Sequence, residues 1–90
     1  MLIVFLVAVD FSAVWCGPCK MIAPTFESLA KSNTSVLFVH VDIDELRGSH
    51  SDLADVKSVP TFKFFKQGKL VHSFPGASTA QLEDSVRRYK

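Results

Sequence analysis

Hydrophobic and polar positions along the chain change their period from one segment to the next. Residues 2–11 are apolar except for an aspartate near the end, a pattern typical of a strand buried on both faces. Residues 35–44 are rich in β-branched and aromatic side chains and predict a second strand. Residues 61–74 form two β-rich runs around Gln67-Gly68, and they predict a hairpin because glycine readily adopts positive φ.

Three further stretches predict helices. After Cys16 apolar residues recur at helical spacing, and Pro24 is expected to kink this helix without ending it. Residues 45–56 predict a short helix, and Ser78 is a candidate cap for a last helix over residues 79–90. The order β-α-β-α-β-β-α predicts an α/β fold with one mixed four-stranded sheet flanked by three helices.

Length and charge narrow the possible functions. The 90 residues predict a single domain, and the formal net charge of +1 gives no reason to expect a nucleic-acid surface. The apolar N-terminal run could suggest a secretory signal, but no positive charge precedes it and no small-residue cleavage site ends it. The run is too short to span a bilayer, so we interpret it as a strand and expect no membrane segment.

The chain has two cysteines, Cys16 and Cys19, separated by Gly17 and Pro18 at the predicted start of a helix. They could be two small buried side chains, part of a metal site, or a redox pair. A structural zinc site would need two more ligands, and the three histidines lie far apart without the spacing of a zinc motif. A buried pair alone does not explain the Gly-Pro turn.

The redox interpretation explains the spacing. Two intervening residues let the sulfurs meet across one helical turn. Cys16 would lie at the helix N-terminus, where free N–H groups and the helix dipole favour the thiolate that attacks disulfides. Cys19, one turn further, is expected to be more buried and to stay a thiol until needed. The sequence therefore predicts a thiol–disulfide oxidoreductase.

Five segments, in order, resemble the thioredoxin family, and they read VDFSAVWCGPCK, MIAPTFE, VDID, VPTFKFFKQG and FPGAS. The likeness covers residues 7–90, is strongest to the eukaryotic cytosolic branch, and implies the thioredoxin fold and a protein-disulfide reductase. In the implied reaction Cys16 attacks a target disulfide and Cys19 resolves the mixed disulfide. Asp10 matches the family's buried acid, which would exchange a proton with Cys19.

The resemblance also implies a surface that receives target proteins. Pro60 matches the family's cis-proline, and Val59 would offer its backbone N–H and C=O to an extended target chain. The implied surface is formed by Trp15, Gly17, Pro18, Val59, Pro60, Gly76 and Ala77. No bound cofactor is implied, because the electrons come from NADPH through a thioredoxin reductase. That reductase and disulfide-containing proteins are the implied partners.

The chain departs from the family in two places. The family begins with one more strand and helix, and its first strand would pair with the strand at residues 35–44. That strand is therefore expected at an exposed edge, which fits a fragment, a short isoform or a homodimer formed through the edge. His40 stands where the family usually has lysine or glutamate. It could couple to Asp10 or simply face solvent.

Two other functions remain open at this point. One is an oxidase or isomerase of a secretory compartment, and the other is a binding module that holds a partner without redox chemistry. The Gly-Pro pair between the cysteines favours the reductase, because oxidising relatives usually carry Gly-His or Pro-His. No retention signal ends the chain, so the cytoplasm is the expected location.

Overall fold

The computed structural model describes residues 6–46 and 56–90. The elements, in chain order, are β1 (Leu6–Ser12), α1 (Gly17–Ser32), β2 (Val36–Asp42), α2 (Ile43–Leu46), β3 (Thr61–Lys66), β4 (Lys69–Pro75) and α3 (Thr79–Tyr89). This confirms the predicted order of strands and helices. The first residues of the predicted β1 and most of the helix expected at residues 45–56 lie outside the described residues.

The four strands form one mixed sheet in the order β2-β1-β3-β4. β1 runs parallel to β2 through the α1 crossover, and Asp10 lies opposite His40 in that pair. β1 runs antiparallel to β3, where Phe62 lies opposite Asp10. The predicted hairpin joins β3 to β4, and Gln67 shares the positive φ expected for Gly68, with values of 53° and 78°.

α1 begins directly after Cys16 because this residue caps the first turn of the helix. Cys16 has extended backbone angles, and its side chain accepts a hydrogen bond from the backbone N–H of Cys19. The helix buries Cys19, Ile22 and Phe26, which recur every three or four residues. It continues through Pro24 to Ser32, and the next residue, Asn33, caps it by donating its backbone N–H to the carbonyl of Leu29. Pro24 therefore does not end the helix, as predicted.

The core lies between the sheet and the helices α1 and α3. Its buried members are Leu6, Ala8, Ile22, Phe26, Val36, Phe62, Phe64, Phe74, Leu82 and Val86. Full burial of one large apolar side chain stabilises a fold by ~1.5–3 kcal/mol. Alternate residues of a strand share a face, so Asp10 and Ser12 continue the face that Leu6 and Ala8 begin. The core thus gives way to polar groups at the end of β1.

The next comparison with the predictions concerns β2 and the helix that follows it. In the described part of the chain β2 has a neighbouring strand on one side only, and Leu37 on it is 50% exposed. This agrees with the predicted exposed edge. α2 begins at Ile43, two residues earlier than expected, because Asp42 Oδ1 accepts the backbone N–H of Asp44 directly after the strand. No helix in the described ranges is long and apolar enough to cross a bilayer.

Candidate active site

The two cysteines meet at the start of α1, as the spacing predicted. Their Cα atoms are 5.3 Å apart and their sulfurs are joined in a disulfide. The backbone N–H of Cys19 donates to Cys16 Sγ at 3.1 Å. The backbone N–H of Cys16 donates to the carbonyl of Ala13 at 3.1 Å, which fixes the turn that leads into the motif. A helix N-terminus therefore faces the sulfur of Cys16.

Both cysteines are 4% exposed, so the expectation that Cys19 is the more buried of the two is wrong for this oxidised form. The reason is that Ala13 packs with both, and Val59 and Ile43 pack against the same cluster. The two sulfurs differ in their surroundings instead. Cys16 Sγ lies 3.6 Å from the carbonyl oxygen of Val59, whereas Cys19 lines a cleft on the α1 side of the sheet.

The loop before β3 reaches the disulfide through its backbone. The Val59-Pro60 peptide bond is cis, as the resemblance implied. Pro60 is fully buried, so its ring lies beneath the surface it was expected to help form. The carbonyl of Pro60 accepts the backbone N–H of Gly76 at 2.8 Å. This bond brings the turn after β4 to the side of the site occupied by Val59.

Trp15 is a surface residue and not part of the core, since 65% of it is exposed. Its indole Nε1 donates to Asp44 Oδ2 at 2.9 Å. Sequence reasoning missed Asp44, although the acidic end of the VDID segment was a signal that a donor could be held there. The bond joins the loop before Cys16 to α2.

The remaining residues of the predicted surface divide by exposure. Gly17, Pro18 and Gly76 are exposed, whereas Ala77 is half-buried and packs against the main core. Two exposed apolar side chains were not predicted, Val14 at 73% and Met21 at 76%. Both flank the cysteine motif in the sequence, and this proximity was the available signal. Apolar area therefore extends to both ends of the motif.

Asp10 is buried at 1% exposure, which agrees with a buried acid and not with one facing water. Within the described ranges its Oδ1 has no hydrogen-bond partner. Burial raises the pKa of Asp10 from 3.8 to about 6, and the charge of His40 opposes part of that rise. A carboxyl group in this setting can take up and release a proton near neutral pH.

His40 lies beside Asp10, as its position in the sequence suggested, and is itself exposed. Its Nε2 shares a 2.9 Å hydrogen bond with Ser12 Oγ, a contact the sequence did not reveal. His40 and Ala23 line two clefts. One, of about 240 Å³, reaches Asp10, and the other reaches Cys19 and Ser12.

The described residues hold no group of three or more histidine, cysteine or acidic side chains placed to bind a metal ion. A disulfide that closes one helical turn, at a helix N-terminus and beside a cis-proline loop, defines a thiol–disulfide oxidoreductase.

Comparison with known proteins gives the family. The family model described as Thioredoxin matches residues 4–88. The chain is 49% identical to the thioredoxin of Mus musculus over 84 residues, which covers 93% of this chain and 79% of that protein. It is 45% identical to the thioredoxin of Ophiophagus hannah over 84 residues, with the same two coverages of 93% and 79%.

Solved structures agree. The structure of Fasciola hepatica thioredoxin superposes with a TM-score of 0.89 at 42% identity, over 98% of this chain and 84% of that one. The structure of Plasmodium falciparum thioredoxin gives a TM-score of 0.88 at 40% identity, over 97% of this chain and 84% of that one. The chain belongs to the thioredoxin family.

Membership and geometry together establish the activity. The protein is a thiol–disulfide oxidoreductase that reduces protein disulfides through Cys16 and Cys19. Thioredoxins bind no cofactor, and they typically interact with thioredoxin reductase and with disulfide-containing substrates.

Proposed function

We propose that this protein reduces disulfides in extended segments of cytoplasmic target proteins, with NADPH as the electron source through a thioredoxin reductase. The observation that carries the proposal is the position of Cys16 Sγ, at the N-terminus of α1 and 3.6 Å from the carbonyl oxygen of Val59. A target that pairs with the backbone of Val59 would run past this sulfur, in the manner of an added strand.

The first step is the attack of the Cys16 thiolate on one sulfur of the target disulfide. A bond forms between Cys16 and that sulfur, and the other target sulfur leaves as a thiolate. The backbone N–H of Cys19 and the α1 dipole favour the anionic form of Cys16. A charge at a helix terminus is stabilised by ~0.3–1 kcal/mol when exposed, and by up to ~2 kcal/mol when partly buried.

The second step releases the target. The ionised Asp10 takes the proton of the Cys19 thiol, and the Cys19 thiolate attacks Cys16 Sγ. The Cys16–Cys19 disulfide forms while the second target sulfur leaves with the electron pair. Burial supports this role for Asp10, because a carboxylate held in an apolar setting gains from taking up a proton.

The surface that would receive the target combines exposed apolar groups with one backbone segment. Trp15, Gly17, Pro18 and Gly76 supply exposed area around the disulfide. Val59 would supply the pairing backbone, next to the buried Pro60, and Ala77 follows Gly76 and packs against the main core. Mostly apolar contacts with a single backbone segment would accept many sequences, which suits a reductase with several targets.

A further part of the proposal is self-association through β2. Its free edge in the described sheet carries Leu37, which is 50% exposed, and an unpaired apolar edge is a template for pairing with another strand. Sedimentation should show a concentration-dependent dimer that Leu37→Lys abolishes. Leu70→Lys, on the opposite edge strand and 53% exposed, is the matched control and should leave the dimer intact. A monomer at all concentrations would contradict this part.

The proposed function is tested by insulin-disulfide reduction with dithiothreitol as electron donor. The wild-type chain should accelerate insulin precipitation over the reagent alone, and Cys16→Ser and Cys19→Ser should both abolish the acceleration. Replacing dithiothreitol with NADPH and a thioredoxin reductase should sustain the same reaction. No acceleration with either donor would contradict the proposal and favour a binding module.

The reduction potential separates a reductase from an oxidase. Reducing members of this fold lie near about −270 mV, whereas oxidases and isomerases lie at about −120 to −180 mV. Equilibration with glutathione, followed by acid trapping of the thiols, should place this pair near the reducing value. A value in the oxidising range would assign the protein to disulfide formation instead.

A further inference from the structure

His40 occupies the one position of β2 that lies directly opposite Asp10. Both residues belong to the strand face covered by α1, because alternate residues of a strand share a face. His40 is exposed, whereas Asp10 is closed off at 1% exposure. A buried acid and a solvent-exposed imidazole therefore lie side by side near the active site.

We propose that His40 is a positioning residue that exchanges protons between Asp10 and solvent during the resolving step. The inference rests on the proposed function, in which Asp10 accepts the proton of Cys19. Until Asp10 has passed this proton on, the proton can return to the Cys19 thiolate and reverse the step, so its removal favours the attack on Cys16. Asp10 itself is only 1% exposed, whereas His40, which lies directly opposite it, is exposed to solvent.

Two clefts provide the route. The cleft of about 240 Å³ that reaches Asp10 has room for several waters, each of which takes ~30 Å³ in the liquid. The adjoining cleft reaches Cys19. Both are lined by His40 and Ala23, so the imidazole stands where the path from the sulfur and the path from the carboxyl meet solvent. Water in these clefts can carry the proton between the groups.

Ser12 orients the imidazole. Its hydroxyl shares the 2.9 Å hydrogen bond with His40 Nε2 and is itself buried at 5% exposure. A bond between a buried hydroxyl and an exposed ring holds the ring against the sheet, beside the two clefts that His40 lines. Ser12 has no other role in the proposed reaction.

Other charged groups of the described residues lie near this pair. α1 contributes Lys20 beside the Cys19 cleft and Glu27 beside the Asp10 cleft. β3 presents the apolar Phe62 opposite Asp10.

Two more charged groups lie close along the sheet. Asp42 follows on the same face of β2, and its Oδ1 already accepts the backbone N–H of Asp44. Lys63 lies on the other face of β3, with its Nζ 5.7 Å from the centre of the Phe11 ring. Burial raises the pKa of Asp10, and the positive charge of a protonated His40 lowers it, so the imidazolium favours the ionised carboxylate once it has taken up the proton.

The proton balance of the step is as follows. The Cys19 thiol gives its proton to the Asp10 carboxylate, and the Cys19 thiolate then displaces the target sulfur from Cys16. While that attack is under way, the protonated Asp10 passes its proton through water to the neutral imidazole of His40. The imidazolium releases a proton to solvent. No electrons pass through Asp10 or His40, and both return to their starting forms.

The test separates the two steps with DTNB, an aromatic disulfide that releases a coloured thiolate. The reduced protein releases one thiolate when Cys16 attacks and a second when Cys19 resolves, and stopped-flow records both between pH 5 and pH 9. We expect His40→Gln to slow the second release about three- to tenfold at pH 7, less than the ~10²–10⁴-fold effect of a direct general base. The first release should stay within about twofold of wild type, because His40 acts only after Cys16 has reacted.

Three variants sharpen the test. His40→Lys places a cation here that exchanges no proton near neutral pH, so it should be as slow as His40→Gln. Ser12→Ala should give a smaller slowing of the same release. His72→Gln removes a histidine that stacks on Tyr89, outside both clefts, and should leave the second release and its pH profile as in wild type.

The Asp10→Asn background shows whether His40 acts through Asp10 or independently of it. There His40→Gln should cause no further slowing, because effects of residues in one pathway are not additive. Suppose that Asp10→Asn does slow the second release. The inference about His40 is then overturned by any one of three results: an additive effect of His40→Gln in the Asp10→Asn protein, a wild-type rate in His40→Lys, or a wild-type pH profile in His40→Gln. If Asp10→Asn leaves that release unchanged, the proposed role of Asp10 fails and the inference fails with it.

Discussion

The indole Nε1 of Trp15 donates a 2.9 Å hydrogen bond to Oδ2 of Asp44, across 29 residues of sequence. The bond ties the loop before the disulfide to α2 and holds a large, 65% exposed side chain beside Cys16. A side chain already held in place loses less conformational entropy when a target binds. Asp44 therefore supports the docking surface without touching the sulfurs.

Asp44→Ala tests this support. We expect KM for insulin to rise about two- to tenfold, the equivalent of one ordinary hydrogen bond, while kcat changes by less than about twofold. Steady-state kinetics at several insulin concentrations provide the measurement. Glu45→Gln, a neighbouring exposed acid of α2, is the matched control and should keep the wild-type KM. A fall in kcat with an unchanged KM would contradict a docking role.

Burial of Asp10 predicts how stability depends on pH. The native state holds the Asp10 proton up to a pKa of about 6, and the unfolded chain only up to 3.8. The native state thus binds more protons between these values, so this contribution to stability falls as pH rises through that window. The difference corresponds to at most ~3 kcal/mol at pH 8.

Asp10→Asn should remove this penalty. We expect the oxidised variant to exceed wild type in free energy of unfolding by about 1–3 kcal/mol at pH 8, and to differ little at pH 4. Urea denaturation at both pH values measures the difference. Asp84→Asn alters an exposed acid of α3 and should shift stability by less than about 0.5 kcal/mol. Equal effects of Asp10→Asn at the two pH values would show that the acid is not buried in solution.

Position 76 requires glycine because of its backbone conformation and not because neighbouring atoms crowd it. Its φ is +93°, and a Cβ added there would meet nothing within 4 Å. Gly76→Ala should therefore destabilise the fold by about 1–2 kcal/mol through backbone strain alone. Gly17→Ala, where no positive φ is imposed and the space is also open, should be neutral or stabilising in the same denaturation experiment. Matching losses for the two variants would refute the explanation.

The two cysteines should differ in reactivity despite equal exposure in the disulfide form. A helix N-terminus stabilises a thiolate, and Cys16 lies at the N-terminus of α1. In reduced Cys19→Ser protein, Cys16 should react with iodoacetamide about tenfold faster than free cysteine at pH 7. In Cys16→Ser protein, Cys19 should react more slowly than free cysteine. Mass spectrometry over time gives both rates.

The strands and helices could be predicted because local pattern determines them. Burial on both faces marked β1, glycine marked the hairpin turn, and Ser78 was identified as the cap of α3, where its Oγ accepts the backbone N–H of Gln81. The cysteine spacing gave the disulfide for the same reason, since both residues belong to one helical turn. Resemblance then supplied what spacing could not, the cis bond before Pro60.

The contacts between distant segments could not be predicted in this way. The bonds of Trp15 to Asp44 and of Ser12 to His40 span 29 and 28 residues, and each depends on the register of a folded sheet. The equal exposure of the cysteines was missed because it arises from packing by Val59, far along the chain. The hydrophobic pattern of one segment does not show which other segment packs against it.

The tryptophan next to Cys16 is the only one in the chain, and most of its ring faces water. Its ultraviolet emission is therefore a single-site optical signal at the reacting sulfur, undiluted by other indoles. Each opening or closing of the neighbouring sulfur bridge should alter that emission, because disulfides quench nearby excited indoles. Every turnover can thus be followed in real time on the unlabelled molecule.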